Sequence, residues 1–122
     1  LFTCPSATKT PAAPTATRPY FMYGFSTRMD PNGSQRFTRN LVIRPTDTVT
    51  FTENNEAHYP SSSGRYTPAR HTQRANLGFV DGHAEPVRTN DYRRTAAEDT
   101  NSQTEWEKPR IVYWYPFPGA TD

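Results

Sequence analysis

The stretch Asn-Leu-Gly-Phe-Val (76–80), Asp-Gly (81–82), His-Ala-Glu-Pro-Val (83–87) constrains the fold more than any other part of the chain. Two short apolar arms around Asp-Gly predict a β-hairpin. A two-residue type I′ turn needs positive φ at both central positions, and Asp81-Gly82 suits it. Pro86 lacks an amide donor, so the return arm is expected at a sheet edge or bonded on one side only. His71 leads into the hairpin and is expected to hydrogen-bond near the Asp81 turn, pinning the entering chain. His83 follows the turn directly and is expected to point to solvent.

The core available to this hairpin is thin in aliphatic residues and rich in rings. The chain has 122 residues, with 3 Leu, 2 Ile, 5 Val and 7 Phe, but also 7 Tyr and 2 Trp. A low aliphatic content signals disorder only with a large net charge, and here the net charge is +2. Aromatic side chains bury far more area than valine, so a small aromatic core with long irregular connections is expected. The charges are interspersed and form no basic run, which gives nucleic-acid binding little support. Of the 14 basic residues 12 are Arg, a bias toward forked pairing with carboxylates.

Periodicity places further elements. Residues 1–18 read as an extended Pro/Thr-rich leader and 19–122 as one β-rich domain. PYFMYGF (19–25) has strand chemistry, and STRMDPNGSQ (26–35) is a turn or loop. RFTRNLVI (36–43) alternates like a strand. In TVTFTE (48–53), Val49 and Phe51 are expected on one face and the threonines on the other. Residues 54–68 read as a polar loop and 90–99 as a short helix capped by Asn90. RIVYWYPFP (110–118) is the strongest aromatic strand, closed by two prolines. The expected fold is mainly β: five or six short antiparallel strands with hairpins and long loops.

Three histidines and nearby carboxylates raise the prospect of a metal or catalytic site. A zinc hydrolase normally presents three ligands plus a general base, often with paired histidines on one helix. Here His71, Asp81 and His83 fall on a loop and a hairpin, and His58 lies in a polar loop. A structural role is therefore expected for His71, Asp81, Gly82 and His83, with no catalytic residues, no metal and no cofactor. Glu53 ends a strand and is expected to pair with an Arg. No Gly-rich phosphate loop, Gly-x-Ser-x-Gly elbow or Cys-x-x-Cys pair is present.

The segment RHTQRANLGFVDGHAE, a His, nine residues and then Asp-Gly-His, resembles the C-terminal signature of bacterial prepilin-type, processing-associated pseudopilin-like proteins. FTCPS (2–6), PYFMYG (19–24) and RPTDTVTFTEN (44–54) fit that family in order, so the likeness spans most of residues 1–90. The resemblance implies an exported, filament-forming or secretion-associated protein of type IV pilin architecture, with a β-rich head. It further implies a long hydrophobic N-terminal helix packed in the filament core. These 122 residues contain no such helix and no prepilin cleavage site, and they start without Met. A fragment or a processed product is expected, located outside the cell or at its surface, with the membrane reached only through that helix. The expected partners are copies of the chain or related pilin-like subunits.

Two functions stay open at this point: a structural filament subunit, and an adhesive or ligand-binding surface domain that could hold calcium through loop oxygens. Cys4, the single cysteine, is a candidate for a disulfide with a segment outside this sequence, or for a buried free thiol. Burial at ~25 cal/mol per Å2 from so few aliphatics competes poorly with ~1–2 kcal/mol of backbone entropy per ordered residue. Stabilisation by neighbouring subunits is therefore expected. The leader and Tyr113, Trp114, Tyr115 and Phe117 are the candidate contacts, since aromatics enrich interface cores.

Overall fold

The structure is a computed structural model that describes residues 22–29, 38–54 and 61–121. The 1–18 leader, Cys4 and His58 lie outside the described residues. The chain is mainly β. Strands β1 (Tyr23–Ser26), β2 (Val49–Glu53), β3 (Ser61–Ser62), β4 (Arg74–Phe79) and β5 (Ala84–Arg88) form one sheet in the order β3-β1-β2-β4-β5. Three short helices follow: α1 (Thr89–Tyr92), α2 (Ala96–Thr100) and α3 (Ser102–Trp106).

The sheet is mixed rather than wholly antiparallel. β1–β2, β2–β4 and β4–β5 pair antiparallel, but β1–β3 is parallel. β4 lies on the other side of β2, and β3 pairs on the outer edge of β1, running parallel to β1 and opposite to β2.

β2 also departs from the simple alternation. A register shift between Val49 and Phe51 marks a β-bulge against β4. The extra residue rotates the strand, so Val49 is buried whereas Phe51 is 40% exposed. The expected common face of Val49 and Phe51 is thereby broken, and Thr52 takes the inward position.

One face of the sheet carries the core. Val49, Ala75, Leu77, Phe79 and Val87 pack with Tyr92, Val112 and Trp114 in one buried cluster. The alternating inward positions of β4 supply three of these. Instead of one helix over 90–99, two short helices cover this region. α1 has no side-chain cap, so Asn90 does not play that part. α2 is opened by a Thr95–Glu98 capping box, in which side chain and backbone satisfy each other's orphan donors.

Residues 36–43 and 110–118 are not strands where described. Arg39–Leu41 is a 3-10 turn. The aromatic terminal segment makes one isolated parallel bridge, Thr48 with Tyr113, through Tyr113 N to Asp47 O and Val49 N to Tyr113 O, both 2.8 Å. Beyond the bridge a side chain takes over the ladder. The Glu105 carboxylate accepts the amides of Trp114, at 3.0 and 3.1 Å, and Tyr115, at 2.9 Å. Arg94 Nε donates to the same carboxylate at 2.8 Å, and Arg94 Nη2 donates to Val112 O at 2.5 Å. Amides held this way need no neighbouring strand, which is why the segment stays irregular yet buried.

This burial revises the interface expectation. Tyr113, Trp114 and Tyr115 are buried within this chain, and Phe117 is half-buried. Trp114 Nε1 donates to Tyr92 O, Tyr115 Oη to Asp99 O, and the Trp106 ring stacks on Tyr113 at 4.0 Å. These rings form the chain's own core instead of waiting for a neighbour.

Candidate functional site

The hairpin forms where expected, with a different turn. Phe79 N donates to His83 O and Gly82 N donates to Phe79 O, leaving Val80, Asp81 and Gly82 as a three-residue loop. Gly82 has φ +102°, while Asp81 is not among the residues with positive φ. This is a type I turn closed by a left-handed glycine, the second commonest way to join two strands. One left-handed residue suffices, so Asp81 is released from it. Its carboxylate instead accepts the His83 backbone amide at 3.1 Å and the His83 Nδ1–H at 2.6 Å. The His83 bond holds the Asp81 carboxyl below its ordinary range. The His83 ring then lies flat on Phe79, with centroids 4.4 Å apart. His83 is exposed, as expected, but tethered.

The type I′ geometry expected at Asp81-Gly82 occurs at the other end of β4. Thr72 and Gln73 have φ of +52° and +61°, and His71 and Arg74 exchange both backbone hydrogen bonds at 3.1 Å. A β-branched residue at positive φ is a strained choice for such a turn. His71 is therefore separated from Asp81 by the whole length of β4, on the order of 20 Å at strand rise. The structure does not bring His71, Asp81 and His83 together, and it corrects the expected link between His71 and the Asp81 turn.

His71 meets Glu53 instead. Its Nε2–H donates to Glu53 Oε1 at 2.6 Å, and Asn76 Nδ2 donates to the same oxygen at 3.1 Å. Glu53 is fully buried, so a carboxylate taken out of water is held by an imidazole and an amide. The expected Arg partner for Glu53 is replaced by a histidine. The contact joins the end of β2 to the turn that starts β4, and Arg70 Nη2 reinforces it by donating to Asn54 O at 2.9 Å.

Beside this pair lies a concavity of about 590 Å3 lined by His71, Thr72, Gln73, Arg74, Arg88, Thr89 and Asn90. Arg74 and Arg88 are directly opposite each other across β4 and β5, so their side chains leave the same face of the sheet. Thr89 fixes the wall: its amide and its hydroxyl both donate to Gln73 O, at 2.9 and 2.7 Å. Sequence reading missed the two arginines as a pair. The signal was present, because Arg74 and Arg88 are equidistant in sequence from Asp81 and an antiparallel hairpin centred there must pair them.

Among the described residues no group of three or more His, Cys, Asp or Glu side chains is placed to hold a metal ion. Nor is any described helix long and apolar enough to cross a membrane. No protein-family model, curated protein or solved structure matches the chain.

Proposed function

We propose that this chain is the β-rich head of a pilin-like or pseudopilin-like structural subunit, working outside the cell or at its surface. The likeness of RHTQRANLGFVDGHAE to the pseudopilin-like signature motivates the reading. Within the structure, that segment builds the interior strand β4 and the hairpin, and its polar side chains tie turns and strands together. The observation that best supports a subunit role is the outer sheet face. Tyr23 stacks on Phe51 at 6.1 Å and Phe25 meets Phe51 edge-on at 5.8 Å. Phe25 is 61% exposed there. Contiguous exposed rings mark association surfaces, and a patch that meets a different patch on the next copy gives an open helical array.

Negative-stain microscopy of native source material, with antibody raised against this chain, tests the reading. Regular labelled fibres are expected, and they are expected to disappear with Phe25→Glu or Phe51→Glu in a chain whose circular dichroism is unchanged. Labelled but dispersed particles in the native material overturn the proposal.

A further inference from the structure

We infer that Arg74 and Arg88 form a binding site for a tetrahedral oxyanion, a phosphate or sulfate group. Like charges directly opposite on neighbouring strands destabilise a sheet, yet neither arginine has an ion pair with a described residue, and neither guanidinium donates a hydrogen bond there. The one fully buried carboxylate nearby, Glu53, is already engaged by His71 and Asn76. Glu85 and Asp91 border the arginines in a separate, smaller concavity and pair with neither. Both guanidinium groups therefore stand with their donor capacity open beside the 590 Å3 concavity.

The surroundings suit an anion. His71 and Arg74 face each other across the Thr72–Gln73 turn, and Arg74 faces Arg88 across the next ladder. The two guanidinium groups thus stand side by side, with the His71 ring, held by Glu53, at one end of the row. Gln73, Thr89 and Asn90 add neutral polar groups to the lining. Two guanidinium forks present parallel N–H pairs that match the oxygens of a phosphate or sulfate. The strained Thr72–Gln73 turn closes one side, and strain of this kind gathers at ligand-holding sites. A bound dianion would cancel the repulsion between the arginines, so binding and folding stability are linked. The site is independent of the filament reading, since it uses none of the exposed aromatic residues.

Isothermal titration of the full chain with inorganic phosphate and with sulfate, at fixed ionic strength set by chloride, tests it. One saturable site is expected, with affinity falling about tenfold or more in Arg74→Gln and in Arg88→Gln, the factor for losing a charge-assisted hydrogen bond. Arg88 is exposed, so Arg88→Gln keeps the fold and the test stands even if Arg74→Gln does not. Arg65→Gln, whose guanidinium lies over the Tyr66 ring, is expected to bind as wild type. In chloride alone Arg88→Gln should melt no lower than wild type, and it should lose the rise in Tm that phosphate gives. Glycerol phosphate in place of the free ion separates the sources: tighter binding assigns the site to an esterified phosphate, equal or weaker binding to the free ion. No saturable binding by wild type, or unchanged binding in both glutamine variants, overturns the site.

Discussion

Replacing Glu105 with Ala removes a carboxylate that holds three donors at once: Arg94 Nε and the amides of Trp114 and Tyr115. Both side chains of the ion pair are buried, at 1% and 0% exposure. Deleting one partner of such a pair costs about 3–5 kcal/mol, because the remaining charge is left uncompensated. Each amide stranded without an acceptor adds about 1–3 kcal/mol. These contributions overlap, since a water can enter the space left, so a loss of about 5 kcal/mol is the expected size. Against a typical total of about 5–15 kcal/mol, Glu105→Ala is expected to be at the edge of folding at 25 °C. Arg94→Met should cost less, because the carboxylate keeps both backbone amides. Urea denaturation followed by tryptophan fluorescence measures the difference, as Trp114 is fully buried and Trp106 half-buried. If Glu105→Ala falls within about 1 kcal/mol of wild type, the carboxylate does not organise the terminal segment and the reasoning fails.

Gly64→Ala would place a methyl 2.4 Å from Trp114 Nε1 and 2.7 Å from Arg94 Cγ, and overpacking of this kind costs about 1–3 kcal/mol. A lowered urea midpoint with a shifted Trp114 emission is expected. At Gly82 an added Cβ meets nothing within 4 Å, but Gly82→Val must adopt φ near +102°, so a strain cost of about 1–3 kcal/mol is expected with no change in core packing. Thermal melting and near-ultraviolet circular dichroism distinguish the two effects. Glu98 is held down to about 2 from its ordinary 4.5, chiefly by the Thr95 backbone amide and then by Arg110 and the Thr95 hydroxyl. A depressed folded-state value means this contribution is complete above about pH 4.5 and is lost as pH falls toward 2. Stability measured across that window should decline, and Glu98→Gln should flatten the decline.

Much of the architecture was legible because it was local. The Asp81-Gly82 hairpin, its apolar entering arm and the edge position implied by Pro86 all follow from neighbouring residues. The errors come from contacts that no local pattern encodes. Val49, Phe51 and Glu53 alternate cleanly in sequence, so nothing there signals the bulge that turns Phe51 outward. The 110–118 segment has strand composition, yet its amides are taken by Glu105 from a helix elsewhere. Asp-Gly favours two left-handed residues, but a longer loop needed only one. The candidate site shows the same division. The histidines were visible at once, whereas the pairing of His71 with Glu53 required the fold. The Arg74–Arg88 pair was readable in principle, given the hairpin register.

Pro86 also governs how the sheet can grow. The bonds Phe79 N to His83 O and Thr89 N to Gln73 O fix the alternation along the hairpin, so the Asn76–Pro86 pair falls at a non-hydrogen-bonded position. The nitrogen of Pro86 therefore faces away from β4, toward the outer rim of the described sheet. It costs the hairpin no bond. It does remove the middle donor of the three that β5 turns outward, between Ala84 and Arg88. A visiting strand would find two donors roughly 13 Å apart at normal strand rise and a ring between them. Edge-to-edge fusion of the kind that seeds amyloid is thus blocked at this rim. An array that uses this rim must be joined there through side chains.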